Sequence, residues 1–507
     1  MVALRNNEVE AARRRADGLR DRRDWLAAAA AYAACLRLAP GDAGLMAQQA
    51  HCTQAAGQVE AALGLYRAAA ALAPDDAAIT GQAGHAAALL DRHAEAEAAF
   101  AHAVALAPGS EDAWQDWLAT FPRAPGPAPA TGVVLDLTDL ATWIARGRRV
   151  PSGIQRVQLE IAAAALAGPV PPVLCAMPAA PAEGSLRPDG WRCWPAALFH
   201  RVDHLMRLGA DTAEPAWRDA AALLADMLEE APLAFAPGAT LVSLGGSWGR
   251  SGHLACLRSA RAATGLRHVP LLHDCVPLVV PEHCEARVVR AYARWFASLA
   301  LHADGVLANS RSTRDDLRRL HATLLPGLPL PATAIVRLDA APRPPPAEAA
   351  PATLPRPLRG GRPYVLFVAT LEGRKNHLLV FQAWLTLLRR LGPGTVPDLV
   401  CVGRPGWQAE AALDLLQNAP ALRGRVHLLH GVADPVLAAL YRGCLFTVYN
   451  SHHEGWGLPV TESLAAGKPV LAPAHSALLE AGQGGATFFE SDSEPGLVAK
   501  LEAMITD

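Results

Sequence analysis

The sequence predicts an α-helical repeat domain followed by two α/β halves with Rossmann-like layering. Three observations predict it: a 34-residue period in the first third, alternating apolar runs and helical segments beyond residue 130, and two Pro-rich breaks. In the first third, Ala28, Ala62 and Ala96 are 34 residues apart, as are Tyr32, Tyr66 and Phe100, and Pro40, Pro74 and Pro108. A small alanine lets paired helices approach, the aromatic fills the gap, and the proline stops the second helix of each pair. Of the first-helix positions where a glycine is expected, only the third unit has one, Gly84. Residues 111–121 read as a capping helix, so the array takes 1–121 and a Pro-rich linker takes 122–130.

The first α/β half takes 131–340. Its expected strands are 133–137, 241–244 after Pro237-Gly238, 269–272 and 305–308. A second Pro-rich linker takes 341–363 and includes Pro342, Pro344, Pro345 and Pro346. The second half takes 364–507, with strands at 364–369, 399–402, 427–429, 445–449 and 470–472 and a final helix at 497–505. Two such halves imply a cleft, and in open α/β sheets ligands sit at the carboxyl ends of strands.

Composition narrows the function classes. A chain of 507 residues suggests about three domains, and 51% hydrophobic content rules out wholesale disorder. With 46 basic and 48 acidic residues there is no global electrostatic case for nucleic acid. Nine scattered cysteines without a C-x-x-C pair fit reduced thiols in the cytoplasm. Residues 1–23 lack the apolar core of a signal peptide, and no apolar run reaches membrane-spanning length. A cytoplasmic protein is expected, with peripheral attachment at the inner membrane face left open.

The richest motif is Glu454-Gly455-Trp456-Gly457-Leu458-Pro459-Val460-Thr461-Glu462, two carboxylates bracketing seven residues. It reads as strand, glycine-rich loop, short helix, strand. Pro459 suits the first helical position, Gly467 suits the left-handed residue that ends the helix, and Glu462 falls near the first turn. The free N–H groups and positive dipole end of such a helix favour a phosphate. One carboxylate can hold sugar hydroxyls and the other ribose hydroxyls, with a diphosphate between. An ordinary βαβ turn with two solvated glutamates explains the same spacing.

Upstream, Thr370-Leu371-Glu372-Gly373-Arg374-Lys375-Asn376-His377 places two adjacent cations at a strand end, where a diphosphate leaving group needs charge. Two solvated cations are the competing reading. His273-Asp274 ends an apolar strand and can serve a sugar hydroxyl or simply a backbone carbonyl. Ser152-Gly153-Ile154-Gln155-Arg156-Val157 follows a basic segment, and spacing alone favours a plain helix entry with Arg156 in solvent. His452 and His453 lack further metal-ligand spacing, and no D-x-D occurs in the chain.

The first third resembles the tetratricopeptide repeat. Residues from about 131 onward resemble glycosyltransferase family 4, the retaining sugar transferases of GT-B fold, in its bacterial polysaccharide mannosyltransferase-like subgroup. The carriers are the Glu454–Glu462 run, Phe-Val-Ala-Thr-Leu-Glu-Gly-Arg-Lys-Asn-His ending at His377, Ser-Gly-Ile-Gln-Arg-Val, His-Asp-Cys-Val-Pro-Leu and Val-Gly-Arg-Pro-Gly-Trp. Ala369 and Gly373 depart from that pattern. Thr370 stands near the place of a further arginine, so either Arg374 substitutes or that contact is lost.

The resemblance implies an acceptor domain, then a donor domain. It implies Glu454 on the donor sugar, Glu462 on the ribose, and Lys375 with Arg374 on the diphosphate. Gly455, Trp456, Gly457 and Leu458 would form the phosphate cradle through their backbone. His273 would lie beside sugar and acceptor, Gly153 near the diphosphate, and Gly403 in the donor site. The implied reaction moves a hexose, mannose-like by subgroup, from a nucleotide diphosphate-sugar to an acceptor hydroxyl with retention, without metal or other cofactor. A glycan or lipid-linked acceptor and a protein partner for the repeats are the implied partners. The alternatives are an inverting protein O-glycosyltransferase of the tetratricopeptide plus GT-B type, and a non-catalytic sugar-nucleotide-binding scaffold.

Overall fold

The computed structural model describes residues 2–120, 129–178, 190–250, 252–338, 343, 346, 349 and 353–506, without the side chains of 2–7 and 357. It divides into two compact units, Met1–Pro125 and Gly126–Asp507.

The first unit is all helical: Val2–Asp21, Trp25–Leu38, Ala43–Ala55, Val59–Leu72, Ala77–Ala88, His93–Leu106 and Glu111–Ala119. The last helix stops short of the expected residue 121, which lies outside the described residues. The alanine and aromatic columns are buried throughout, from Ala28 and Tyr32 to Ala96 and Phe100. Each helix that precedes a repeat proline ends two residues before it, at Leu38, Leu72 and Leu106. Gly84 is required where it stands, because a Cβ there would meet the Phe100 ring at 2.7 Å. The equivalent Ala16 and Ala50 are fully buried.

A further 34-spaced column supplies helix caps. Asp42, Asp76 and Ser110 accept from the amides of Leu45, Ile79 and Ala113 at 2.9, 3.0 and 3.3 Å. Asp76→Ala is expected to cost about 1 kcal/mol, read as a lower urea midpoint with unchanged m, whereas Asp76→Asn should cost less.

The second unit holds two sheets. The first joins β1 (Val133–Asp136), β2 (Val173–Ala176), β3 (Arg192–Cys193), β4 (Thr240–Ser243), β5 (Arg267–Leu272), β6 (Gly305–Ala308) and β7 (Ala332–Ile335) in the order β3-β2-β1-β4-β5-β6-β7. Only β3 is antiparallel. The second is fully parallel, with β8 (Tyr364–Val368), β9 (Asp398–Val402), β10 (Val426–Leu429), β11 (Thr447–Val448), β12 (Val470–Pro473) and β13 (Ala486–Phe489) in the order β10-β9-β8-β11-β12-β13. This is the helical-repeat plus two-sheet α/β architecture expected. Strands β2, β3, β7 and β13 were not expected; β3 has only two residues, and β7 reads Ala-Thr-Ala-Ile rather than a continuous apolar run.

Both Pro-rich stretches contribute to the folded halves. Ala130, the end of the first, is buried and bridges Phe235, while 122–128 lie outside the described residues. In the second, Arg343 donates to Asp203 at 2.8 and 2.7 Å and to Glu160 at 2.6 Å. Leu354 and Leu358 pack against Tyr364, Leu366 and Val400 under the second sheet. The linker prolines Pro342, Pro344 and Pro345 lie outside the described residues. The final helix, Glu494–Thr506, stays on the second half. It buries Leu497, Val498 and Leu501 in that half's core, and Arg390 pairs with Glu502 at 2.9 Å. Among the described residues no helix is long and apolar enough to cross a membrane.

Candidate functional site

Strand order decides which loops meet. In the second sheet β8, β9 and β10 run outward on one side and β11 to β13 on the other, so the order reverses between β8 and β11. The loops leaving a reversal point diverge and open a crevice at the carboxyl ends. The loop after β8 carries Glu372, Arg374 and Lys375, and the loop after β11 carries Tyr449 and Glu454.

These loops interlock. Arg374 Nη1 donates to Glu454 Oε1 at 2.7 Å and to the His453 carbonyl at 3.1 Å, and Nη2 donates to Glu372 Oε1 at 2.8 Å. Lys375 Nζ donates to Glu454 Oε1 and, at 2.6 Å, to the Tyr449 hydroxyl. That hydroxyl in turn donates to Glu454 Oε1 at 3.0 Å. The two cations are thus neither solvated nor bare, and Glu454 is not a loop carboxylate in water: it is 8% exposed. Two carboxylates and two cations make a neutral buried cluster. Arg374 and Lys375 are therefore already engaged by Glu372 and Glu454.

The charges follow from this packing. Burial pushes the Glu454 carboxyl up, but Arg374 and then Lys375 outweigh it and hold it at about 2. Burial and the Arg374 charge lower the Lys375 ammonium despite Glu454. Burial opposes the Arg374 cation, and Glu454 and Glu372 more than restore it. Because the folded pKa of Glu454 lies below its ordinary 4.5, the stability it contributes is present above pH 4.5 and lost as pH falls toward 2. Glu454→Gln should therefore flatten the loss of stability between these pH values by up to about 3 kcal/mol, measured by denaturant unfolding at each pH.

The cradle differs in detail from expectation. Gly457, at φ +105°, is the N-cap, so the helix Leu458–Ala465 begins one residue before Pro459 and places Glu462 in its second turn. Gly467 ends it at φ +70°. Glu462 Oε2 accepts from the Tyr441 hydroxyl at 2.8 Å. Trp456 turns its side chain toward the hydrophobic core, where its Nε1 has no hydrogen bond, leaving only its backbone for a ligand.

From the first half, His273 follows β5 and is buried. Its Nε2 lies 2.7 Å from the Leu244 carbonyl, which can only accept, so Nε2 carries the proton and Nδ1 is the acceptor nitrogen. Burial lowers its proton affinity and keeps it neutral. Gly455 packs directly on this residue: a Cβ there would overlap the His273 carbonyl oxygen. Gly153 opens the helix Gly153–Leu166, and its Cβ position is 3.6 Å from Leu458 Cδ1 at the start of the helix Leu458–Ala465. Gly403 follows β9, where a Cβ would overlap the Ala369 carbonyl oxygen, so it serves close approach of the β8 and β9 loops.

Arg156 is not in solvent. It forms a two-pronged ion pair with Asp434 of the second half. His452 pairs with Asp492 at 3.0 Å and stacks on His283, and His453 pairs with Asp316 at 2.7 Å. Among the described residues no three His, Cys, Asp or Glu side chains are placed to hold a metal.

Sequence reasoning missed Glu372, Tyr449, Tyr441 and Asp434. Glu372 was legible, since it stands two residues before Arg374 in the strand-end loop, and Tyr449 ends the expected strand 445–449 that leads into the Glu454 loop. Tyr441 and Asp434 lie on the helix Asp434–Gly443, whose approach to Glu462 and Arg156 only the fold creates.

Serotype-specific mannosyltransferase WbdA of Escherichia coli is 27% identical over 243 residues, 46% of this chain and 29% of that protein. O-antigen chain mannosyltransferase B of Escherichia coli is 32% identical over 111 residues, 21% of this chain and 28% of that protein. The chain spans less than a third of the length of these curated relatives. The solved structure of Anabaena HepE in complex with UDP-glucose aligns with a TM-score of 0.40 and 18% identity over 52% of this chain and 68% of that chain. Residues 355–507, the half that carries the Glu454 cluster, match the family described as Glycosyl transferases group 1.

Proposed function

We propose that the protein is a retaining glycosyltransferase that moves a hexose from a nucleotide diphosphate-sugar to an acceptor hydroxyl in polysaccharide or glycoconjugate synthesis. The observation that carries this reading is the meeting of Glu454, Arg374 and Lys375 at the reversal point of the second sheet, opposite neutral His273. The match of residues 355–507 supports the reaction class, and the two named mannosyltransferases favour mannose.

In this reading Arg374 and Lys375 take up the charge that grows on the leaving diphosphate, and the amides at the start of the Leu458–Ala465 helix add to it. Glu454 orients the sugar hydroxyls, and Glu462, steadied by Tyr441, holds the ribose. His273 Nδ1 accepts a hydrogen bond from sugar or acceptor. The leaving phosphate assists attack on the same face, so Glu454 is not a nucleophile and no metal takes part. The helical repeats bind a protein partner.

A thermal-shift panel of GDP, UDP, dTDP and ADP selects the donor nucleotide, since a bound nucleotide raises apparent stability by mass action. Transfer from the matching hexose donor, followed by NMR of the product anomer, tests the rest. An inverted product overturns retention, and nucleotide binding without transfer or donor hydrolysis overturns the enzyme in favour of a scaffold.

A further inference from the structure

Among the described residues, most hydrogen bonds between the two α/β halves are neutral or use backbone groups. Thr313 Oγ1 donates to the Gly455 carbonyl at 3.2 Å, Trp407 Nε1 to the His283 carbonyl at 2.9 Å, and Gln408 Nε2 to the Glu282 carbonyl at 3.0 Å. The amides of Arg311 and Ser312 donate to the Glu480 carboxylate at 3.0 and 2.7 Å. His453 reaches Asp316. All these contacts engage first-half elements that follow β5. Arg156 is different. It comes from the helix Gly153–Leu166, and its guanidinium grips Asp434, the first residue of the helix Asp434–Gly443, through both terminal nitrogens.

Both partners are mostly shielded, with side chains 20% and 19% exposed. A planar fork on a carboxylate is the geometry in which a shielded ion pair is strong and directional. Tyr441, two turns beyond Asp434 on the same helix, donates to Glu462. Glu462 is the next negative charge acting on Arg156 after Asp434. The four side chains therefore link the Gly153 helix, the Asp434 helix and the cradle helix. One turn before Arg156, Gly153 lies against Leu458 at the start of the cradle.

We propose that Arg156 is a positioning residue whose pair with Asp434 latches the first half onto the second and holds the Gly153 helix and Glu462 in register on the bound nucleotide-sugar. The proposal rests on the reading that Glu462 holds the ribose. When the halves separate, Arg156 and Asp434 return to water. When they close, the pair forms and the Gly153 helix covers the cradle. Donor affinity and closure are then one coupled equilibrium.

The test uses the full chain with Arg156→Met, Asp434→Asn, both together, and Arg156→Lys. Two quantities are read: kcat and donor KM, and hydrogen exchange at the amides of Arg311 and Ser312, whose partner Glu480 lies across the cleft. Each neutralising substitution is expected to raise donor KM about tenfold or more and to speed exchange at those amides by a similar factor, with an unchanged thermal midpoint. The double variant should be no worse than Arg156→Met alone, because the second substitution removes a partner already lost. Arg156→Lys, which keeps the charge and loses the fork, should fall between.

Single-variant KM values and exchange rates within about twofold of the parent, or effects that multiply in the double variant, overturn the latch. A lowered thermal midpoint with unchanged exchange at Arg311 and Ser312 also overturns it, by making the pair a fold-stabilising contact. The exchange readout needs no turnover. A parent protein that consumes no nucleotide-sugar overturns the proposed function, and the latch is still decided by exchange.

Discussion

On the proposed function, Glu454→Gln is expected to lower sugar transfer by about a hundredfold or more, because Glu454 both orients the sugar and positions the two cations that meet the developing charge. The reasoning is electrostatic and local. Arg374, Lys375 and Tyr449 all donate to one oxygen of Glu454, so this carboxylate sets where both cations stand. An amide keeps the shape and discards the charge, leaving Glu372 as the carboxylate hydrogen-bonded to Arg374. Arg374 and Lys375 are then a buried pair of like charges with incomplete compensation. Breaking a buried pair from one side costs about 3–5 kcal/mol, so the thermal midpoint should fall as well.

A nucleoside diphosphate supplies the missing negative charge, and the variant should gain more thermal stability from it than the parent does. Transfer rate, thermal midpoint and nucleotide shift are measured together. Unchanged transfer in Glu454→Gln would remove this carboxylate from the site.

Gly455→Ala is expected to have an effect on transfer of the same order, about a hundredfold, by a different route. The added methyl would overlap the His273 carbonyl oxygen and approach Asp274 Cβ at 2.8 Å. These are backbone and near-backbone atoms, so no rotamer change relieves the clash. The loop after β11 and the loop after β5 must move apart, and a displacement of about 1 Å at a reacting centre is enough for a loss of this size. The two loops belong to different sheets, so each half keeps its own core. The thermal midpoint should therefore fall little, by the equivalent of about 1–3 kcal/mol of overpacking at most. A variant that unfolds in proportion to its lost activity would show instead that the contact holds the fold rather than the cleft.

Much of this was legible in the residues. The 34-residue columns located every repeat helix boundary that a proline marks, because a helix cannot continue through Pro40, Pro74 or Pro108. The capping column at Asp42, Asp76 and Ser110 was equally legible and went unread. In the α/β part, strands with continuous apolar runs, such as β8 and β9, stood out. The two-residue β3 carries too few residues for any period to register, and β7, Ala-Thr-Ala-Ile, lacks a continuous apolar run. The spaced glutamates and the paired cations were visible as a motif, and so was the left-handed Gly467.

The sequence by itself determined the local facts: which segments are helix, which loops end strands, where glycine is required by a left-handed turn, and which charged residues stand at strand ends. Those follow from short-range sterics and periodicity, which act within a few residues. Only the tertiary structure decided that Arg374 and Lys375 spend their charge on Glu454, that His273 has already committed Nε2 to Leu244, and that Arg156 leaves solvent for Asp434, 278 positions along the chain. The first two depend on a parallel sheet bringing together strand ends that are remote in sequence, and the third on the helix Gly153–Leu166 of one half meeting the helix Asp434–Gly443 of the other. The energy of a charge is set by what surrounds it after folding, not by its neighbours along the chain.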